Sequence, residues 1–210
     1  MLLTQIILHS IINKKIKIMI DSVKITKNKK KFIETSEKYN IFTDDLLNFL
    51  GEDLFLSPAS TSIEMYGCYP GGLIDHLLKV CKYSIQLNNL LPDDVKVADE
   101  SIIKVVFLSQ IGKTFLFKPN ESEWHRKNLG KMYDYNNDAV LTMLVGERSA
   151  YYAMKYGVNF TEEEYQAVIN SDKEGSEKTI RWFSKPLTHI IKLGFEMAVL
   201  EEKNHGKKKN

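Results

Sequence analysis

Apolar residues recur every three or four positions in several separate stretches of the chain, which is the spacing of helices with one buried face. One such stretch is predicted to form a helix over residues 72–91, and Pro92 ends it. A second stretch, 99–113, is apolar on nearly all sides, so we expect it to form the central helix. Alternating patterns typical of strands are scarce. The patterning therefore predicts an all-α domain.

Local start and stop signals predict further helices. Two aspartates at 44–45 predict the start of a short helix that Gly51 ends. The segment 161–164 reads Thr-Glu-Glu-Glu, which is the pattern of a capping box, so a helix is predicted to begin there. Pro186 is predicted to open a last helix that ends near Glu202. Helix signals also cover 139–144 and 147–156, and irregular structure is predicted over 53–70, 114–137 and 171–183.

Charge divides the chain into three parts. Residues 1–31 carry a net charge of +7 and residues 203–210 carry +4, which leaves −9 on residues 32–202 within a total of +2. An acidic body argues against a nucleic-acid-binding face spread over the domain, so nucleic acid is expected to bind only weakly, through the lysine-rich ends. We predict a basic extension over 1–35, one domain over 36–202 and a basic tail over 203–210.

The apolar start of the chain is too short to cross a membrane. Its apolar residues lie within 1–12 and lysines follow at once, whereas a membrane-spanning helix needs about 20 apolar residues. The N-terminal extension is either disordered or upstream of the natural start, which the sequence leaves open between Met1 and Met19. Two cysteines, Cys68 and Cys81, make neither a disulfide framework nor a zinc motif. A cytoplasmic protein without a membrane segment is therefore predicted, in the host cytoplasm if the protein is viral.

Several motifs follow one another along the predicted helices. A helix opens with Tyr69-Pro70-Gly71-Gly72-Leu73-Ile74-Asp75-His76, and the central helix ends with Phe107-Leu108-Ser109-Gln110-Ile111-Gly112-Lys113. Residues 122–130 read Ser-Glu-Trp-His-Arg-Lys-Asn-Leu-Gly, and residues 146–149 read Gly-Glu-Arg-Ser. In this order the motifs resemble those of HD-domain phosphohydrolases, particularly the compact HD proteins of bacteriophages. The resemblance covers about residues 40–200 and implies a single helical bundle with irregular loops.

The resemblance also implies where metal ligands would stand. In this family the Gly-Gly-Leu-x-x-His stretch supplies the first metal-ligand histidine, which His76 matches. The central helix of the family ends in His-Asp, and here Ser109 and Gln110 occupy those two positions. The last helix supplies a terminal aspartate, whose position is taken by Glu196. The later histidine of two-metal members falls at Ser171.

These substitutions remove ligands that a divalent metal needs. A catalytic zinc takes three protein ligands and a water, and a hydroxyl or a neutral amide is a poor replacement for imidazole and carboxylate. We therefore expect His76 and Glu196 to form a vestigial site, and we expect no cofactor. A rearranged site would use Mn, Fe, Mg or Zn. The side chains that could rebuild it are Asp75, His125, Asp172 and His189.

Four side chains near this site are predicted to contact phosphate: Lys113, His125, Arg126 and Arg148. Such groups can bind a phosphate without cleaving it. The sequence therefore predicts a catalytically degenerate HD-type domain, a pseudoenzyme that binds a nucleotide, a phosphate or a protein partner. The alternative is an active metal-dependent phosphohydrolase that acts on nucleotides or single-stranded nucleic acid with a rearranged ligand set. A scaffold without a ligand is the third hypothesis.

Overall fold

Helices make up most of the residues that the computed structural model describes, which are 22–139, 142–171 and 185–207. In chain order they are α1 (22–38), α2 (Asp44–Leu56), α3 (Gly72–Asn88), α4 (Asp99–Ser109), α5 (Glu123–Asn128), α6 (Val145–Lys155), α7 (Glu162–Asn170) and α8 (Pro186–Lys207). A 3₁₀ turn, Ile111–Lys113, follows α4. Two short antiparallel strands are β1 (Phe117–Pro119) and β2 (Tyr133–Tyr135). The predicted all-α character is confirmed, apart from this small sheet.

Helix α4 lies at the centre of the fold, as its apolar pattern predicts. Its side chains Ile102, Val105 and Phe107 are fully buried, and the helix contacts α3, α6, α7 and α8. Helices α3 and α8 pack along each other, and the Tyr83 hydroxyl of α3 donates to the Glu201 carboxylate of α8 at 2.5 Å. The α3 and α8 pair therefore forms one wall of the core and positions the side chains that the two helices share.

Helix α1 belongs to the core, although its segment was predicted to precede the domain. Phe32 is fully buried, and its ring stacks on Phe107 of α4 with 4.2 Å between the centroids. The boundary predicted at residue 36 therefore falls inside a helix that packs on the rest of the fold. The boundary predicted at residue 203 likewise falls inside α8, which continues to Lys207. In α1, lysines dominate the composition and mask the apolar positions.

Several predicted element ends differ from the structure. Helix α2 does not end at Gly51 but bends there, because this glycine adopts the left-handed φ of 54°, and the helix continues to Leu56. The stretch 114–137, predicted irregular, contains β1, α5 and β2. Residues 139 and 142–144 are not helical, whereas 140–141 and most of 171–183 lie outside the described residues.

The local helix signals are confirmed at α7 and α8. Thr161 Oγ accepts a hydrogen bond from the Glu164 backbone N–H, and the Glu164 carboxylate accepts one from the Thr161 N–H. This is the predicted capping box. Helix α8 begins at Pro186, as predicted. Within the described ranges no helix is both long and apolar enough to span a membrane.

Candidate functional site

Two glycines form the turn that begins α3 and places His76 in the interior. Gly71 has a φ of 78°, and a Cβ atom at Gly72 would lie 2.0 Å from the backbone oxygen of Gly67. Both positions therefore require glycine, and they start α3 tightly against the preceding irregular segment. One turn later the helix buries His76 completely, with an exposed fraction of 0%.

Two aromatic rings enclose the imidazole of His76. Tyr66 stacks on it with 4.3 Å between the centroids, and Phe195 of α8 meets it edge-on at 4.9 Å. The Lys113 ammonium nitrogen lies above the Tyr66 ring, 5.1 Å from its centroid, and the Tyr66 hydroxyl accepts a hydrogen bond from Lys113 Nζ at 3.1 Å. The predicted site residues His76 and Lys113 are therefore brought close together, with Tyr66 in contact with both.

The carboxylate that meets His76 belongs to Glu202 and not to Glu196. His76 Nδ1 lies 3.1 Å from Glu202 Oε1, whereas Glu196 is exposed. Phe195 and Glu202 are seven residues apart, so about two helical turns place both on the face of α8 that meets α3. Glu196 is one residue further on from Phe195 and is rotated by about 100° away from that face. The predicted pairing of His76 with Glu196 is therefore not the arrangement in the structure.

A chain of charges joins this pair to helix α1. Lys79 Nζ lies 3.0 Å from Glu202 Oε1 and 2.9 Å from Asp75 Oδ2, and Asp75 in turn binds Lys24 Nζ at 2.8 Å. The Tyr69 hydroxyl also donates to Asp75. Burial alone would raise the pKa of Asp75, but the hydrogen bonds from Lys24, Tyr69 and Lys79 outweigh it and hold this pKa well below its usual range. The network thus links α1, α3 and α8.

His76 is neutral in this arrangement. Burial lowers its pKa, and the positive charges of Lys113 and Lys79 lower the pKa further against the opposing effect of Glu202. The Nδ1–H group therefore donates to Glu202. The other ring nitrogen, Nε2, has no hydrogen-bond partner among the described residues.

A buried neutral histidine makes stability depend on pH. Because the folded-state pKa of His76 lies below its unfolded value near 6.5, the unfolded chain takes up the proton first. The free energy of unfolding should therefore fall as the pH drops below about 6.5, by at most about 1.4 kcal/mol per pH unit. Urea unfolding between pH 8 and pH 5 measures this dependence. A His76→Gln variant should show a flatter profile, and an unchanged profile would contradict the assignment.

Ser109 and Gln110, which were predicted to stand in the place of a His-Asp pair, are buried and neutral. Ser109 Oγ donates to the Val106 carbonyl at 2.9 Å. Gln110 is 1% exposed, and its amide oxygen has no hydrogen-bond partner in the described part of the chain. Ser171, at the end of α7, is also buried and donates to the Val168 carbonyl at 3.0 Å. None of these three side chains supplies a charged metal ligand.

The donors around His76 do not fit a divalent metal. His76 Nε2 and Glu202 Oε2 have no hydrogen-bond partner among the described residues, but Glu202 Oε1 is already paired with Lys79 and the Lys113 ammonium adds positive charge nearby. A catalytic zinc would need three ligands and an open position. Across the described residues, no group of three or more His, Cys, Asp or Glu side chains is arranged to hold a metal ion.

The side chains that were predicted to rebuild a metal site have other partners or lie in other parts of the fold. Asp75 is held by Lys24 and Lys79, and His189 lines an apolar cavity of about 360 Å³ beside Leu90. His125 lies on α5, where Trp124 packs against it at 5.7 Å between the ring centroids. Its neighbour Arg126 donates to the Asn120 carbonyl. Asp172 lies outside the described residues.

Arg148, predicted near the same site, lies against a cavity of its own. It is 4% exposed, and its Cβ atom packs beside Gly112. Nη1 is 3.5 Å from the Tyr152 hydroxyl, while Nε and Nη2 have no hydrogen-bond partner within the described residues. The cavity measures about 390 Å³, and Phe115, Asn136, Asp138, Tyr151 and Tyr152 also line it. This cavity was not predicted from the sequence.

Comparison of the chain with models of protein families, with curated proteins and with solved structures gives no match in any of the three. The resemblance to HD proteins therefore rests on the order of the sequence motifs. The chemistry of the site rests on the contacts of His76 and Arg148.

Proposed function

We propose that this chain is an HD-type helical domain that binds an anionic ligand and does not hydrolyse it. The observation that supports the loss of hydrolysis is the environment of His76. The imidazole that would hold a metal ion is enclosed by Tyr66 and Phe195 and is hydrogen-bonded to Glu202.

Metal-dependent phosphate hydrolysis requires an accessible ion that carries a water molecule and polarises the phosphate. Here the carboxylate nearest to the imidazole belongs to an ion pair that joins α3 and α8. Glu202 is buried and Lys79 half-buried, so breaking this pair should cost about 3 kcal/mol, the lower end of the range for buried pairs. A metal ion would have to replace the pair and gain its remaining ligands from neutral side chains. The residues around His76 thus favour a structural role for this network.

The test is metal content together with phosphohydrolase activity. We expect the purified protein to hold far less than one Mn, Fe, Co, Ni or Zn per chain in elemental analysis. Phosphate release from a panel of nucleotides with added Mn²⁺ should not differ between the wild type and His76→Ala, because His76 is not a metal ligand. Stoichiometric metal, with activity that the His76→Ala substitution abolishes, would refute the proposal and favour the active hydrolase.

A variant that restores the family's ligands checks the position of the site. Ser109→His combined with Gln110→Asp is expected to bind Mn²⁺, because it adds an imidazole and a carboxylate where HD proteins carry them. Calorimetry with Mn²⁺ measures the gain, and circular dichroism controls for folding. A folded double variant that binds no Mn²⁺ would show that the HD-type alignment of this site is wrong.

A further inference from the structure

We propose that the cavity beside Arg148 binds a small organic oxyanion, a carboxylate or a phosphate monoester, that carries a planar ring. This inference rests on the proposed function in one respect, which is that the ligand is bound and not hydrolysed. The cavity lies beside the α6 residues Arg148 and Tyr151, and Asn136, Asp138 and Ala139, which follow β2, also line it.

The buried guanidinium of Arg148 is the main reason to expect an anionic ligand. With 4% exposure it is a buried cation, and within the described residues it forms no ion pair. A buried charge without a counter-charge is strongly unfavourable. The two nitrogens without a partner, Nε and Nη2, form one edge of the guanidinium. Two parallel N–H groups on such an edge match the two oxygens of a carboxylate or phosphate.

The walls of the cavity favour a planar apolar group next to that anion. Phe115, Tyr151 and Tyr152 contribute three rings, and Tyr151 is half exposed. A volume of about 390 Å³ lies within the usual range of small-molecule pockets, roughly 300 to 1,000 Å³. Asp138 also lines the cavity and is exposed. Its negative charge disfavours a ligand with several negative groups, such as a triphosphate.

Binding requires a small rearrangement of the arginine. Both unpaired nitrogens are shielded from solvent, so the guanidinium must turn toward the cavity to meet a ligand. The contact that holds it, between Nη1 and the Tyr152 hydroxyl, has a length of 3.5 Å and is weak. A ligand with two oxygen acceptors replaces this contact with two charge-assisted hydrogen bonds.

Binding of four simple probes to the full chain tests the inference. Phenyl phosphate and benzoate combine ring and anion, inorganic phosphate supplies the anion alone, and benzyl alcohol supplies the ring alone. In titrations followed by NMR, we expect one of the two ring-bearing anions to bind with 1:1 stoichiometry. It should bind at least about tenfold more tightly than either single-feature probe, because both features contribute. Preference for phenyl phosphate or for benzoate identifies the anion, and no saturable binding of either would overturn the proposal.

Variants of Arg148 separate binding from folding. Arg148→Met and Arg148→Lys should each lower the affinity for the best probe at least about tenfold, because both variants lose the guanidinium edge. The control Lys82→Met, which removes an exposed positive charge from α3, should bind like the wild type. The melting temperature of Arg148→Met should equal or exceed the wild-type value, since a buried unpaired charge is removed. Unchanged binding in both Arg148 variants, or a strongly lowered melting temperature, would overturn the inference.

The same samples distinguish this inference from the proposed function. Release of phosphate from phenyl phosphate would refute the non-hydrolytic role, even if Arg148 proves to hold the ligand. Conversely, if the probes are not hydrolysed and their binding does not depend on Arg148, only the assignment of this cavity is refuted.

Discussion

Replacing Phe32 with alanine is expected to lower the free energy of unfolding by about 3 to 5 kcal/mol, the range for removing a buried aromatic ring. Phe32 is fully buried, stacks on Phe107 and has edge contacts with Phe42 and Phe55 at 5.5 and 6.1 Å between centroids. The substitution would leave a cavity against α4, which cannot shift because it is packed on four other helices. Urea denaturation at pH 7, followed by circular dichroism, measures the loss.

The matched control is Val23→Ala on the same helix. Val23 is 64% exposed, so its replacement should change the free energy of unfolding by no more than about 0.5 kcal/mol. If Phe32→Ala behaved like this control, α1 would not be part of the cooperative unit, and the domain would start near residue 36 after all.

The sequence predicts elements best where the signal is local. The periodicity of α3 and α4, the capping box at Thr161 and the proline that opens α8 each depend on residues within a few positions of one another. The structure confirms where these helices begin, although α3 ends at Asn88 and α4 at Ser109, short of the predicted ends at 91 and 113. Helix α1 was assigned outside the domain because lysines dominate its composition, and the burial of Phe32 depends on partners in other helices.

The small sheet could not be predicted in the same way. Strands β1 and β2 have only three residues each, too few for an alternating pattern to stand out. Their pairing joins residues 117–119 to residues 133–135, across the helix α5. A further bridge between Ser62 and Lys131 involves a segment still more distant in sequence. Such pairings are set by tertiary packing.

The candidate site was predicted in part. His76 and Lys113 were identified from motifs, and the structure brings them together on Tyr66. Glu202 was missed because the choice among the three carboxylates of α8 depends on how that helix is rotated against α3. Tyr66 lies in an irregular segment that gives no periodic signal. Spacing alone could have revealed the ion pair between Asp75 and Lys79, since the two residues are four apart on a helix.

Replacing Asp75 with asparagine is expected to lower the free energy of unfolding at pH 7 by about 3 kcal/mol, the lower end of the range for a broken buried ion pair. Asp75 is 7% exposed and accepts hydrogen bonds from Lys24, Asn28 and Lys79. The lower end applies because Lys79 keeps its second partner, Glu202, and Lys24 is half exposed. A matched control is Glu52→Gln at the exposed pair with Lys29, which should have almost no effect.

The pH dependence of this loss identifies its electrostatic origin. Because the folded-state pKa of Asp75 lies well below its unfolded value near 4, the carboxylate stabilises the fold fully above that pH. This contribution disappears as the pH falls below about 4 and the unfolded chain becomes protonated first. In urea unfolding, the difference in the free energy of unfolding between wild type and Asp75→Asn should therefore reach its full value at pH 7 and be clearly smaller at pH 3. An equal difference at both pH values would mean that the loss comes from the altered hydrogen bonds of the asparagine amide and not from the charge of Asp75, since asparagine keeps the size of the side chain.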